Sequence, residues 1–114
     1  MAANRLFELR TYHAAPGKLD ALQARFANHT LRLFEKHGLT VVGFWVARDA
    51  NGQPGNDLVY LLAFPDSEAR EQSWEAFRAD PDWIKARADS EVDGPLLISL
   101  ESVFLDPTSY SPMS

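Results

Sequence analysis

The segment Arg5–His13, RLFELRTYH, carries the reading that decides the fold. Its residues alternate, with Phe7, Leu9 and Thr11 on one side of an extended chain and Leu6, Glu8, Arg10 and Tyr12 on the other. This predicts a strand with one polar face, and it makes Phe7, Leu9 and Thr11 the natural set to pack under helices. Working outward, Pro16-Gly17 breaks the strand. Leu19, Leu22, Phe26, His29 and Leu33 then recur at helical spacing up to Gly38, which predicts a helix of about five turns. Thr40–Arg48, TVVGFWVAR, is apolar on both faces and reads as a central strand. The turn-rich run Asp49–Asp57 joins it to a strand over Leu58–Phe64. Asp66 or Ser67 caps a helix carrying Trp74 and Phe77, and Asp80-Pro81 starts a second helical piece holding Trp83 and Ile84. Gly94-Pro95 ends it, and Leu96–Leu105 forms the last strand.

The order β, α, β, β, α, β predicts an α+β, ferredoxin-like domain with a four-stranded antiparallel sheet and helices on one face. One domain is expected over residues 1–114, with a Pro/Ser-rich tail at 106–114. Two helical layers cover only one side of such a sheet. Trp45, Val41, Leu58 and Leu62, or their alternates, leave apolar groups on the other side, so a second copy of the same sheet is the expected cover.

Composition narrows the partners. A formal charge of −5, from 16 acidic and 11 basic residues, provides no basic stripe for nucleic acid or an anionic membrane. The chain has no cysteine, which removes disulfides, thiol nucleophiles and thiolate metal sites and fits a reducing, cytoplasmic setting. No long apolar run follows a basic stretch in Met1–Arg10, and no stretch is apolar enough to span a membrane, so no targeting segment or anchor is expected. Three histidines without HxH or HExxH spacing give no metal site and no implied cofactor; an axial haem ligand from His13 or His29 is a minor alternative. Hydrolase elbows, phosphate loops and dinucleotide fingerprints are absent from the sequence.

Seven phrases resemble the NIPSNAP family in order and spacing: Glu8-Leu9-Arg10-Thr11-Tyr12, Pro16-Gly17-Lys18, His37-Gly38, Val42-Gly43-Phe44-Trp45, Asn56-Asp57-Leu58-Val59, Asp80-Pro81-Asp82-Trp83 and Tyr110-Ser111-Pro112. The resemblance implies a dimeric α+β barrel, two ferredoxin-like sheets closing face to face, with a pocket in each subunit. It also implies kinship with cofactor-independent monooxygenases, isomerases and haem-handling proteins, while NIPSNAP proteins themselves have no settled reaction. The chain departs from the family pattern at Tyr60, Leu62, Ala63 and Ser102-Val103.

Glu8, Arg10 and Tyr12, at i, i+2 and i+4, share one strand face. With Trp45 and Tyr60 they are candidates to line a mostly apolar pocket and orient the polar end of a small ligand, Arg10 taking an anionic or carbonyl group. The alternative is that Glu8 and Arg10 satisfy one another. His29, in phase with Leu22 and Phe26, is a candidate to meet Glu101 on the last strand as a general-base pair, and His29, Tyr12 or Tyr60 are the candidate proton carriers. Three functions follow: small-molecule binding in a homodimer, a cofactor-independent enzyme of the monooxygenase or isomerase type, or an interaction module using the tail or the Asp49–Asp57 loop.

Overall fold

The computed structural model describes residues 5–114; Met1–Asn4, the start of the expected 1–114 domain, lie outside the described residues. Strand β1 (Leu6–Ala14) leads into helix α1 (Leu19–Arg25), a π-helical turn (Phe26–Thr30) and helix α2 (Leu31–Lys36). The junction residues all keep helical backbone angles, so residues 19–36 run as one rod. Strands β2 (Thr40–Arg48) and β3 (Pro54–Phe64), helices α3 (Ser67–Ala79) and α4 (Pro81–Ser90), and strand β4 (Leu97–Leu105) complete the chain. Pairing is antiparallel throughout in the order β2-β3-β1-β4, the ferredoxin-like α+β arrangement that the order of elements predicts. Within the one chain the sheet stays open, and β2 and β4 are its edges.

Three local readings are corrected. The first concerns β1, where the polar set Glu8, Arg10 and Tyr12, together with Ala14, is the buried face that meets the helices, while Leu9 and Thr11 lie half-buried on the outer face. Alternation was sound but polarity misled, because these polar groups bond to one another and so tolerate burial. Phe7, on that outer side, is shielded by the Arg5 guanidinium 5.2 Å from its ring.

The second concerns β2, which is an edge strand. Val41 pairs with Leu62 and Gly43 with Leu61, so two residues of β2 oppose one of β3 in a bulge. The extra residue reverses the alternation: Val41, Phe44 and Val46 pack on the helix-covered core, whereas Trp45 turns outward and is 53% exposed. Its indole lies over Gly43, where an added Cβ would come within 2.8 Å of the ring.

The third concerns His29. The Leu31 N–H bonds to the Phe26 carbonyl, an i to i+5 step that widens the turn by one residue. The widening carries His29 to the exposed side and sets Thr30 in the buried position, 2% exposed, with its hydroxyl donating to the Arg25 carbonyl.

Between sheet and helices the core is aromatic. Phe34 stands edge-on to Trp74 at 5.6 Å and to Phe77 at 4.9 Å, and 6.1 Å from Tyr60. Asp80 joins the two helical layers: its carboxylate caps α4 by accepting from the Asp82 N–H at 2.8 Å and accepts from Lys36 and His37 at 2.9 and 2.7 Å. Lys36 and His37 hold its carboxyl well below the usual range. Gly38, at φ 80°, ends α2 in the left-handed conformation that a side chain would resist.

Phe34→Ala should destabilise the fold by roughly 3–5 kcal/mol, the usual cost of emptying a packed aromatic site. His29→Ala should change it by no more than about 0.5 kcal/mol, as expected of an exposed position. Urea unfolding of both variants checks the pair, and a large loss in the His29 variant would contradict the widened turn.

Candidate functional site

The centre of the site is a carboxylate with no solvent exposure. Glu8 accepts five hydrogen bonds: from Arg10 Nη1 at 2.8 Å, Arg70 Nε and Nη2 at 3.0 and 2.9 Å, Trp74 Nε1 at 3.0 Å and Ser102 Oγ at 2.6 Å. Strand register explains part of this, since Arg10 faces Tyr60 on β3 and Ser102 on β4. Helix spacing explains the rest: Arg70 and Trp74 are one turn apart on α3 and point the same way. Burial alone would raise the Glu8 carboxyl, but the bonds from Arg70, Ser102, Arg10 and Trp74 outweigh it and hold the pKa down to about 2.

The rest of the Arg10 guanidinium is used on phenols. Its Nε donates to Tyr60 Oη at 2.8 Å and its Nη2 to Tyr12 Oη at 3.2 Å, while the Tyr60 hydroxyl donates to Tyr12 at 2.8 Å. Trp74 covers the guanidinium, its ring centre 4.4 Å from the central carbon. Burial disfavours charge on Arg10, yet Tyr12, Tyr60 and Glu8 keep its pKa above the ordinary value. Tyr60 is fully buried and stacks on Phe44 at 4.9 Å. Burial and the neighbouring Tyr12 push its pKa well up, so it holds its proton and serves as a donor.

Above this polar floor lies a cavity of about 420 Å³ between sheet and helices. Arg10 and Tyr12 reach it from the floor, and Phe26, Phe34, Trp74, Phe77 and Trp83 supply aromatic walls. Arg25, Arg78, Arg87 and Glu91 bring charge from the helices, and Leu97 and Leu100 close it from β4. Its size falls within the range of small-molecule sites, roughly 300–1,000 Å³.

The structure thus brings Glu8, Arg10, Tyr12 and Tyr60 into one hydrogen-bonded group, with Glu8 and Tyr60 standing behind the two residues that touch the cavity. Trp45, His29 and Glu101 stand elsewhere. Trp45 is turned outward by the bulge and His29 by the π turn. Glu101 lies on the outer face opposite Thr11, and the histidine it meets is His13, at 3.2 Å from Nε2, with Asp57 at 2.8 Å from Nδ1. Asp57 and Glu101 together raise the His13 pKa. Sequence reasoning did not place Arg25, Arg70, Arg78, Ser102 or Trp74 in the site; the available signal was the Arg70-Trp74 pair at i, i+4. Among the described residues no group of histidine and acidic side chains is arranged to hold a metal, and no helix is long and apolar enough to cross a membrane.

Fold and site together define an α+β ferredoxin-like domain with an aromatic cavity held between sheet and helices over a buried Glu-Arg-Tyr-Tyr network. The chain belongs to the NIPSNAP family, whose sequence model matches residues 7–112. It is similar to a NIPSNAP family protein of unknown function from Agrobacterium tumefaciens, at 22% identity and a TM-score of 0.82, over 97% of this chain and 95% of that one. An uncharacterised NIPSNAP domain protein from Burkholderia xenovorans is 29% identical with a TM-score of 0.77, over 94% and 98%. A Streptomyces coelicolor monooxygenase, product of the ActVA-Orf6 gene and solved with nanaomycin D, shares the fold at 14% identity and a TM-score of 0.60, over 93% and 89%. No curated protein matches the chain.

Because Glu8 releases its proton more readily folded than unfolded, its contribution is complete above the unfolded pKa of 4.5 and is lost as pH falls toward about 2. The loss should amount to roughly 3 kcal/mol. Glu8→Gln should lower stability at pH 7 by about 3 kcal/mol or more, by leaving Arg10 without its counter-charge and Arg70 with Glu71 alone, and should flatten the profile between pH 4.5 and 2. Urea midpoints of the two proteins against pH check both statements.

Proposed function

We propose that the protein binds a small, largely apolar molecule in the cavity between sheet and helices, and does so as a homodimer. The observation that carries the binding reading is an aromatic-walled cavity of about 420 Å³ set over a fixed polar floor, Arg10 and Tyr12. Mixed lining of this kind, mostly apolar with a few placed polar groups, is what small-ligand sites use for affinity and orientation. Native mass spectrometry of protein purified from its own host should find a bound molecule. The adduct should vanish in Leu100→Trp, which fills the cavity from the exposed edge strand while leaving the melt cooperative. Bare chain alone in the wild type would overturn this reading.

The dimer rests on what the helices leave uncovered. Trp45, Val103 and Leu105 are 53%, 52% and 40% exposed on the outer face, beside the half-buried Leu9, Val59 and Leu61. A contiguous apolar patch of that kind asks for cover, and a second copy of the sheet provides it, closing the two sheets into a barrel. Light scattering behind size exclusion should give about twice 12.8 kDa, and Trp45→Asp should shift it toward the single-chain mass. A wild-type monomer with a cooperative melt would sink the dimer.

A second reading, a cofactor-independent enzyme of the monooxygenase or isomerase type, is favoured by the Tyr60-Tyr12 phenol pair beside Arg10. Tyr12 accepts from Tyr60 and Arg10, which leaves its own O–H for a bound carbonyl; the Tyr12 proton moves to that oxygen, and Arg10 with the Tyr60 hydroxyl steadies the charge left on Tyr12. Under this reading Tyr12→Phe abolishes turnover of the co-purifying molecule and leaves its binding intact.

A further inference from the structure

We propose that the cavity takes a flat apolar molecule bearing one carboxylate-like oxyanion, and that Arg25 and Arg78 are the groups that recognise the charge. The inference rests on the binding reading above and adds the class of ligand.

The protein as a whole carries a formal charge of −5, yet the cavity is lined by four guanidinium groups, Arg10, Arg25, Arg78 and Arg87, and by one carboxylate, Glu91. Arg10 is already matched, because Glu8 stands 2.8 Å behind it. Arg87 is matched as well, its Nε 3.0 Å from Glu91. The other two are not. Arg25 is a buried cation, its side chain 6% exposed, that reaches Glu91 only at 3.5 Å and Ser90 Oγ at 3.2 Å, both through Nη1. Its Nε has no acceptor among the described residues, although the atom is fully buried. Arg78 stacks on Trp74, 4.9 Å from the ring centre, and forms no ion pair within 4.0 Å among the described residues.

Arginine does not shed its proton to escape burial, so the poorly matched, desolvated Arg25 favours an anion brought to it, and Arg78, exposed on the same cavity, adds a second cation within reach of that anion. Burial already draws the Arg25 pKa below its usual value, with Glu91 compensating only in part. A planar guanidinium fits a carboxylate with two parallel N–H···O bonds, which sets the chemistry of the charged end. The walls set the other end, because Phe26, Trp74, Phe77 and Trp83 present ring faces and edges suited to a flat hydrocarbon body. The widened π turn contributes here too: Arg25 and Phe26 sit where it begins, both buried and both on the cavity.

The test uses two probes of nearly equal shape, 2-naphthoate and its neutral counterpart 2-naphthamide, titrated by calorimetry into the intact protein at low ionic strength. The naphthoate should bind at least about tenfold more tightly, the scale of a charge-assisted pair of hydrogen bonds. The preference should shrink to about threefold or less in Arg25→Gln and in Arg78→Gln, with naphthamide affinity unchanged, and salt should erode it. Arg78 is exposed and its one contact with the core is the stack on Trp74, so its variant decides the matter if the Arg25 variant melts early. Equal affinity for the two probes in the wild type, or a preference that survives both substitutions, overturns the inference while leaving small-molecule binding intact. Binding of neither probe overturns this inference too, while the binding reading stands or falls separately on the co-purified adduct.

Discussion

The Glu8 carboxylate is the constraint on which the rest of the structure depends. A buried charge is tolerated only when its lone pairs are taken up, and Glu8 meets that condition with donors from β1, α3 and β4 at once. Each donor is thereby held in place. Arg10 is turned so that its remaining edges address Tyr12 and Tyr60, Trp74 is drawn over the guanidinium, and Arg70 seats α3 across the sheet. A Leu at position 8 would suit burial better, but it would leave Arg10 Nη1, Arg70 Nε and Nη2, the Trp74 indole N–H and the Ser102 hydroxyl without the acceptor they share. The polar floor of the cavity is therefore a consequence of how the sheet and α3 are joined.

Helix geometry decides what stands above that floor. An unbroken α-helix from Leu19 to Lys36 would divide the inward positions between His29 and Thr30; the π turn gives the place to Thr30 and leaves Arg25 and Phe26 facing the cavity. Asp80 then ties the end of this rod to the α3-α4 junction through Lys36 and His37, so that the aromatic walls from both helical layers keep a common spacing. The matched arginines, Arg10 and Arg87, belong to this framework. On the same cavity, and among the described residues, Arg25 meets Glu91 only at 3.5 Å and Arg78 forms no ion pair but stacks on Trp74.

The outer face obeys different rules. Its apolar groups, Trp45, Val59, Leu61, Val103 and Leu105, come from all three of the strands that follow the first helical rod, and Trp45, Val103 and Leu105 are left exposed. At one end of the same face His13 sits between Asp57 and Glu101, a charged cluster remote from the cavity. Two chemistries are thus separated by the thickness of one sheet: ordered polar groups under the helices, and loosely covered apolar surface opposite them.

By itself the sequence determined the order of elements, the antiparallel ferredoxin-like sheet, the Asp80-Pro81 break between the last two helices and the common face of Glu8, Arg10 and Tyr12. These follow from local rules: period-two alternation, helical spacing, caps and turn residues act over a few neighbours and are written in the chain. Only the tertiary structure decided which side of β1 meets the helices, because burial of a polar residue depends on partners that arrive from Arg70, Trp74 and Ser102, far along the chain. It also decided the orientation of Trp45 and His29. A bulge in β2 and a wide turn after Arg25 each insert one residue into a regular repeat, and nothing local marks such an insertion. The cavity charge was hidden for the same reason, since Arg25, Arg78 and Arg87 read as scattered helix-surface cations until α1 and the α3-α4 pair are packed around one space.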